Sequence, residues 1–147
     1  LSFFDLRRVT VPTATKLGIE FDQRTRLEVI KSFKAEGLDA VPIIIPPHLL
    51  EQGGIYQDGV VLFTLGGVSN KITVGSNEGG KYSIYLSDRY GFNNPDSEWD
   101  SANINWLMVG DSFTRGAAVQ VGEEIAGQIR YLTNSTIINL GIVEMDP

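Results

Sequence analysis

The 147-residue chain has no cysteine and a single histidine, His48. The first absence excludes disulfides, thiolate metal sites and cysteine nucleophiles, though it does not choose a compartment. The second leaves one imidazole for acid–base or metal chemistry. Cations are also scarce: 12 Lys and Arg against 18 Asp and Glu give a net charge of −6. Affinity for nucleic acid depends on neutralising phosphates, and no basic cluster offsets this deficit, so no nucleic-acid partner is expected. No apolar run approaches the roughly 18 residues that cross a bilayer. The chain opens on Leu1 and closes on Pro147 after a strand-like run, so both ends read as cut, with room for a signal or anchor upstream.

What is present is globular in kind. A hydrophobic content of 42% and a charged content of 20% suit a folded core. The length holds one domain, or a small lobe with part of a larger one. No repeat and no low-complexity segment interrupts it.

Residues 1–20 carry no clear period, and Pro12 predicts an extended or turning Thr10–Thr13. The pattern changes at Asp22, which can cap a helix. Leu27, Val29, Ile30 and Phe33 then share a broad face, and Gly37 supplies a stop, so the spacing predicts a helix over 23–36. Ile43-Ile44-Ile45 suits a short edge strand confined by prolines on both sides. His48 follows two prolines and reads as a surface loop residue.

Residues 55–92 read as all-β. Val60–Leu65 is a strand ended by Gly66-Gly67, and Lys71–Val74 and Tyr82–Leu86 form a hairpin across the turn-rich 75–80. Tyr82 and Ile84 fall on one face and Tyr85 on the other. Such tyrosines can line a sugar-binding surface, but packing is their commoner use. Ser87–Asp96 is a loop, read as a connector that Tyr90 and Phe92 anchor, although a loop delivered beside an active site has the same look, and burial of Trp99 would pin the segment that follows.

From Ile104 the texture changes again. Trp106–Val109 is a continuous apolar run, the pattern of a parallel strand buried on both faces. Val119, Ile125, Ile129 and Leu132 mark a helix over roughly 120–132, and Ile137–Leu140 is a second strand. Strand, helix, strand makes one β-α-β crossover. The expected organisation is an extension over 1–100, with one helix and a β-hairpin, and the first β-α-β part of an incomplete α/β domain over 101–147.

The most specific chemical signal lies between that strand and that helix, at Gly110-Asp111-Ser112. A serine on a tight turn at a strand's carboxyl end is held where ligands of parallel sheets bind. Gly110 permits close backbone approach, Asp111 can bond local amides, and the Ser112 amide can donate to an oxyanion. Two other uses compete. Asp or Ser before a helix is common for capping alone. A helix start with Arg115 beside it can also hold an anion, although the loop lacks the glycine density and lysine of a phosphate cradle.

Gly110-Asp111-Ser112-Phe113-Thr114 in this setting resembles the first block of the bacterial SGNH (GDSL-type) hydrolase family. Ser87-Asp88-Arg89-Tyr90-Gly91-Phe92-Asn93-Asn94-Pro95 resembles a segment that many bacterial members carry before that block. Ile138-Asn139-Leu140-Gly141 is similar to the strand that leads to the second. The likeness covers about residues 87–142, and more loosely the upstream 22–86.

The resemblance implies a flavodoxin-like parallel α/β/α sandwich behind a mixed, β-rich extension. It implies a serine esterase or acyltransferase without metal or organic cofactor, in which Ser112 attacks an ester carbonyl. The substrate would be a small-molecule or carbohydrate-borne ester, in a cell-envelope or secreted setting. The family's histidine and aspartate lie near the domain's C-terminus, a region this sequence does not contain, and His48 does not match them. Backbone amides of Ser112 and of position 144 would form the oxyanion hole. Glu144 stands where the family has glycine, and its side chain would crowd that pocket. The 147-residue piece alone is therefore expected to be inactive. The alternatives are a non-catalytic glycan-binding or assembly module on the same fold, or a fold whose chemistry has been lost.

Overall fold

The computed structural model describes residues 7–45, 53–62 and 65–142. It is a mixed α/β structure built on small sheets.

Helix α1 (Arg7–Leu17) runs through Pro12, where an extended stretch is predicted. Proline costs the helix one donor, but its fixed φ is helical, so the flanking residues carry the turn through. Gly18, at φ +67, ends it, and Ile19 N reaches back to Ala14 O at 2.9 Å. Helix α2 (Arg26–Ala35) starts three residues later than expected. Its cap is Thr25, not Asp22: Thr25 Oγ1 accepts from Glu28 N, and Glu28 returns a bond to Thr25 N at 2.6 Å, a capping box. Asp22 is engaged by Arg24 instead. Val29 and Ile30 turn inward, while Leu27, assigned by spacing to the same face, is exposed.

A three-stranded sheet receives α2. Strand β1 (Ala40–Pro42) pairs in parallel with β4 (Ile72–Val74), and β4 pairs antiparallel with β5 (Ile84–Leu86). The edge strand therefore lies just before the isoleucine run, at Ala40–Pro42. Val29, Ile30, Ala40, Val74 and Tyr82 form the core, with Phe33, Ile72 and Ile84 against it. Tyr82 and Tyr85 are both buried. Between β1 and β4 a hairpin joins β2 (Ile55–Gln57) to β3 (Val60–Leu62). Asp58 and Gly59, both at positive φ, make its two-residue turn, a signal legible in the Asp-Gly dipeptide. The stretch before residue 101 thus holds a second helix and a second hairpin beyond those expected.

After a 3-10 turn (Asp96–Asp100), β6 (Trp106–Met108) pairs in parallel with β7 (Ile137–Asn139). Between them lie the single-turn helix α3 (Ser112–Arg115) and helix α4 (Ile125–Thr133). The predicted helix over 120–132 begins later because Gly122 takes φ +88. Strand β7 is fully buried, whereas β6 is not buried on either face. Trp106 is 55% and Leu107 63% exposed, although they point to opposite sides. The reason is local: β7 is packed by α4 and the 3-10 turn, and no described element covers β6. No helix among the described residues is long and apolar enough to cross a membrane.

Candidate active site

The parallel ladder between β6 and β7 continues past both strands. Leu140 N donates to Met108 O at 2.8 Å and Ile142 N to Gly110 O at 2.9 Å. This fixes Gly110 at the sheet's carboxyl edge. A Cβ at Gly110 would overlap the Thr114 hydroxyl and lie 3.0 Å from Thr114 Cβ, so a side chain there would have to push Thr114 aside. Asp111 is the N-cap of α3, and its Oδ1 accepts from Phe113 N at 3.0 Å. Gly116, at φ +75, closes the turn.

Ser112 is half-buried at the first position of α3. Among the described residues nothing hydrogen-bonds its hydroxyl or its amide. Ser112 lines a cavity of about 310 Å³, whose walls include Phe113, Gly116, Val119, Ile125 and Glu78. The second oxyanion donor expected from sequence, Glu144, lies outside the described residues, as does His48. Nearby amides are taken: Gly141 N donates to Asn139 Oδ1 at 2.9 Å. No three His, Asp or Glu side chains among the described residues are grouped to hold a metal ion. Arg115 is buried and bonded to Tyr85, so it does not line the Ser112 cavity as an anion site would require. A larger cavity, about 470 Å³, lies between β5 and α4. Among its polar walls, Asn94 and Arg130 are committed to other partners, and Ser112 does not line it.

The polar residues that hold this turn were not singled out by sequence. Asp88, 1% exposed, accepts from Tyr90 N, Phe92 N, Asn94 Nδ2 and Trp99 Nε1 at 2.8–2.9 Å. Four donors satisfy a buried carboxylate without a counter-ion. Asn94 passes the network on to Asn139, whose Nδ2 donates to Thr114 O at 2.7 Å, inside α3. Arg130 joins it by donating from Nη2 to Asn94 Oδ1 at 2.9 Å, and it pairs with Glu98 at 3.3 Å and Glu124 at 3.7 Å. A buried asparagine within Ile-Ile-Asn-Leu is the one trace of this in the sequence, since a polar residue in a fully buried strand needs partners. On the outside of the loop, Arg89 binds both Asp96 and Asp100, and those hydrogen bonds hold the two carboxyls below the usual aspartate range.

Comparison of the chain with family models, with curated proteins and with solved structures finds no match.

Proposed function

We propose that this chain carries the nucleophile-bearing part of an SGNH-type serine ester hydrolase or acyltransferase, with Ser112 as nucleophile. The observation that carries the reading is the state of Ser112. Among the described residues nothing bonds its hydroxyl or its amide, and it sits at a sheet's carboxyl edge on a turn that Asp111 caps and Asn139 holds. A free hydroxyl can be deprotonated and attack, while a free amide can meet the oxyanion that results. The resemblance of Gly110–Thr114 to the family's first block points the same way. So does β6, because an apolar strand open on both faces is what the first strand of a larger parallel sheet presents without its neighbours. In this reading the finer fold is the flavodoxin-like sandwich. The general base and its aspartate come from beyond these 147 residues, and the cavity beside Ser112 receives the acyl group of a small or carbohydrate-borne ester.

The test uses the longer polypeptide that carries this chain, treated with a serine-directed acyl-phosphonate probe. Labelling that disappears in Ser112→Ala is the expected result. Absent labelling in a folded protein overturns the reading and favours a non-catalytic binding module. That module would need an aromatic platform other than Tyr82 and Tyr85, which packing has consumed. The isolated chain is expected to turn over a small activated ester no faster than its Ser112→Ala variant.

A further inference from the structure

Arg115 is 2% exposed, yet no carboxylate pairs with it among the described residues. Its Nη2 donates to the Tyr85 hydroxyl, its guanidinium carbon lies 5.6 Å from the centre of the Tyr85 ring, and its Nε has no partner. A buried cation without a counter-ion is costly, so stability alone is a poor account of this side chain. A positional role is a better one.

The main chain around Arg115 is gripped from the same side. Asn93 Nδ2 donates to Arg115 O at 3.1 Å, and Ser83 and Ser76 donate to Ala117 O at 2.6 and 3.0 Å. Asn139 holds Thr114 O from the opposite strand. Every contact falls on residues 114–117, just after Ser112, and none on Ser112 itself. A single helical turn has no cooperative stability of its own, so tertiary bonds must set its orientation. Ser112 and Arg115 stand three residues apart, on neighbouring positions of one face of that turn.

We propose that Arg115 and Tyr85 are positioning residues for Ser112: the β4–β5 hairpin holds the nucleophile's turn through the buried Arg115–Tyr85 contact. This rests on the reading of Ser112 as nucleophile. Reacting groups must be held to within about half an ångström, which a free one-turn helix cannot do. The upstream region is then a working part of the site, and Tyr85 acts on the reaction through Arg115 without touching substrate.

The absence of cysteine makes a direct test available. Ser112→Cys places a single thiol at the site, and its alkylation by iodoacetamide against pH gives the thiol's titration midpoint. A thiol at a helix start with a free amide titrates below the free value of about 8.5. In the Ser112→Cys chain the midpoint is expected below that value. Adding Tyr85→Phe or Arg115→Met is expected to move it back upward and to slow alkylation at neutral pH by about threefold to tenfold. Arg115→Lys, which keeps the charge but not the planar fork, is expected to restore part of the shift. Ser83→Ala removes one bond to Ala117 O without disturbing the buried charge. It is expected to give a smaller shift of the same sign, and it serves if the Arg115 variants do not fold by circular dichroism. Glu78, Glu123 and Glu124 line the same cavity in every variant and drop out of the comparison.

Acyl-phosphonate labelling that survives Ser112→Ala in the longer polypeptide overturns the nucleophile reading, and the midpoint's absolute value does not bear on it, because Glu78, Glu123 and Glu124 line the same cavity. A lowered midpoint that stays put in every folded variant overturns the positioning role and leaves that reading standing. A lower unfolding temperature with no movement of the midpoint is the mark of a merely structural contact and also overturns it.

Discussion

Asn94 and Asn139 bind each other twice. Asn139 N donates to Asn94 Oδ1 at 2.8 Å, and Asn94 Nδ2 donates to Asn139 O at 3.0 Å. One asparagine side chain thereby does for β7 what a neighbouring strand's backbone would do. Two residues earlier, Ile137 N donates to Glu98 Oε2 at 2.8 Å and Ile137 O accepts from Arg130 Nη2 at 2.6 Å. The outer edge of β7 is therefore closed by side chains, a way of protecting an edge strand from further pairing. The sheet can grow only from β6, the strand that is apolar and uncovered.

Asn94→Ala strips this closure and leaves Asn139 N and Asn139 O without a partner in a buried site, while Asp88 Oδ2 keeps Trp99 Nε1. Each orphaned buried group costs about 1–3 kcal/mol, so a loss of roughly 2–4 kcal/mol is expected. Urea unfolding of the chain and its variant measures it, and a change below about 0.5 kcal/mol would show that water replaces the amide at no loss.

Leu107 and Ile138 face each other in the β6–β7 register, yet Leu107 is 63% and Ile138 1% exposed. Leu107→Ser is expected to change stability by no more than about 0.5 kcal/mol. Ile138→Ala, although apolar for apolar, is expected to cost about 2–5 kcal/mol through the cavity it leaves. Thermal unfolding of the pair gives the comparison. If the longer polypeptide covers β6 as proposed, Leu107→Ser becomes destabilising there, a contrast that reports the completed sheet.

Local patterns carried much of this fold in the sequence. Ile72–Val74 and Ile84–Leu86 were legible as a hairpin because alternation and a turn-rich connection are short-range signals. The parallel β6–β7 pair was legible because two apolar runs flank a helix. Pro12 misled because the residue's ordinary bias is local, while the helix around it is held by its neighbours. Leu107 misled because an apolar run does not say whether another element covers it, and none of the described ones does. At the site, Gly110-Asp111-Ser112 announced itself through a fixed spacing. Asp88, Asn94 and Asn139 did not, since their partners lie as far as 45 positions away in sequence. From sequence Arg115 entered only as an aid to an anion site at the helix start; its burial against Tyr85 is a property of packing, and no spacing encodes it.

Arg89 sets a pH dependence whose sign is fixed. Hydrogen bonds from its guanidinium hold Asp96 and Asp100 below the ordinary aspartate range in the folded state. The stabilisation is thus fully present above the unfolded value of about 4 and fades as pH falls through the depressed folded values. Arg89 itself, shifted upward, stays charged throughout. The unfolding temperature of the parent chain is expected to exceed that of Asp96→Asn/Asp100→Asn at pH 6 and to converge with it toward pH 2. Asp22, beside Arg24, and Asp39, beside Lys71, titrate in the same window in both proteins. For that reason the difference, not the parent's own curve, is the quantity to follow. A gap that persists unchanged to pH 2 would mean that the two aspartates act through packing instead of charge.

Gly141 is where β7's continuation passes closest to the helix that bears Ser112. A Cβ there would overlap the backbone nitrogen of Arg115 and lie 2.8 Å from both Arg115 Cα and Thr114 C. These are main-chain atoms, which cannot swing aside as a side-chain tip can. Gly141→Ala must push α3 away from the strand end, stretching the Asn139 bond to Thr114 O and the ladder bond from Ile142 N to Gly110 O. Overpacking of this kind costs about 1–3 kcal/mol. Gly79→Ala is the control: a Cβ at Gly79 meets nothing within 4 Å, and a change within about 0.5 kcal/mol is expected. The two substitutions also separate stability from geometry. In the Ser112→Cys background, Gly141→Ala is expected to shift the thiol's midpoint and Gly79→Ala to leave it fixed, because only the former lies against the turn. Equal behaviour of the two would show that the strand end does not brace the nucleophile's helix.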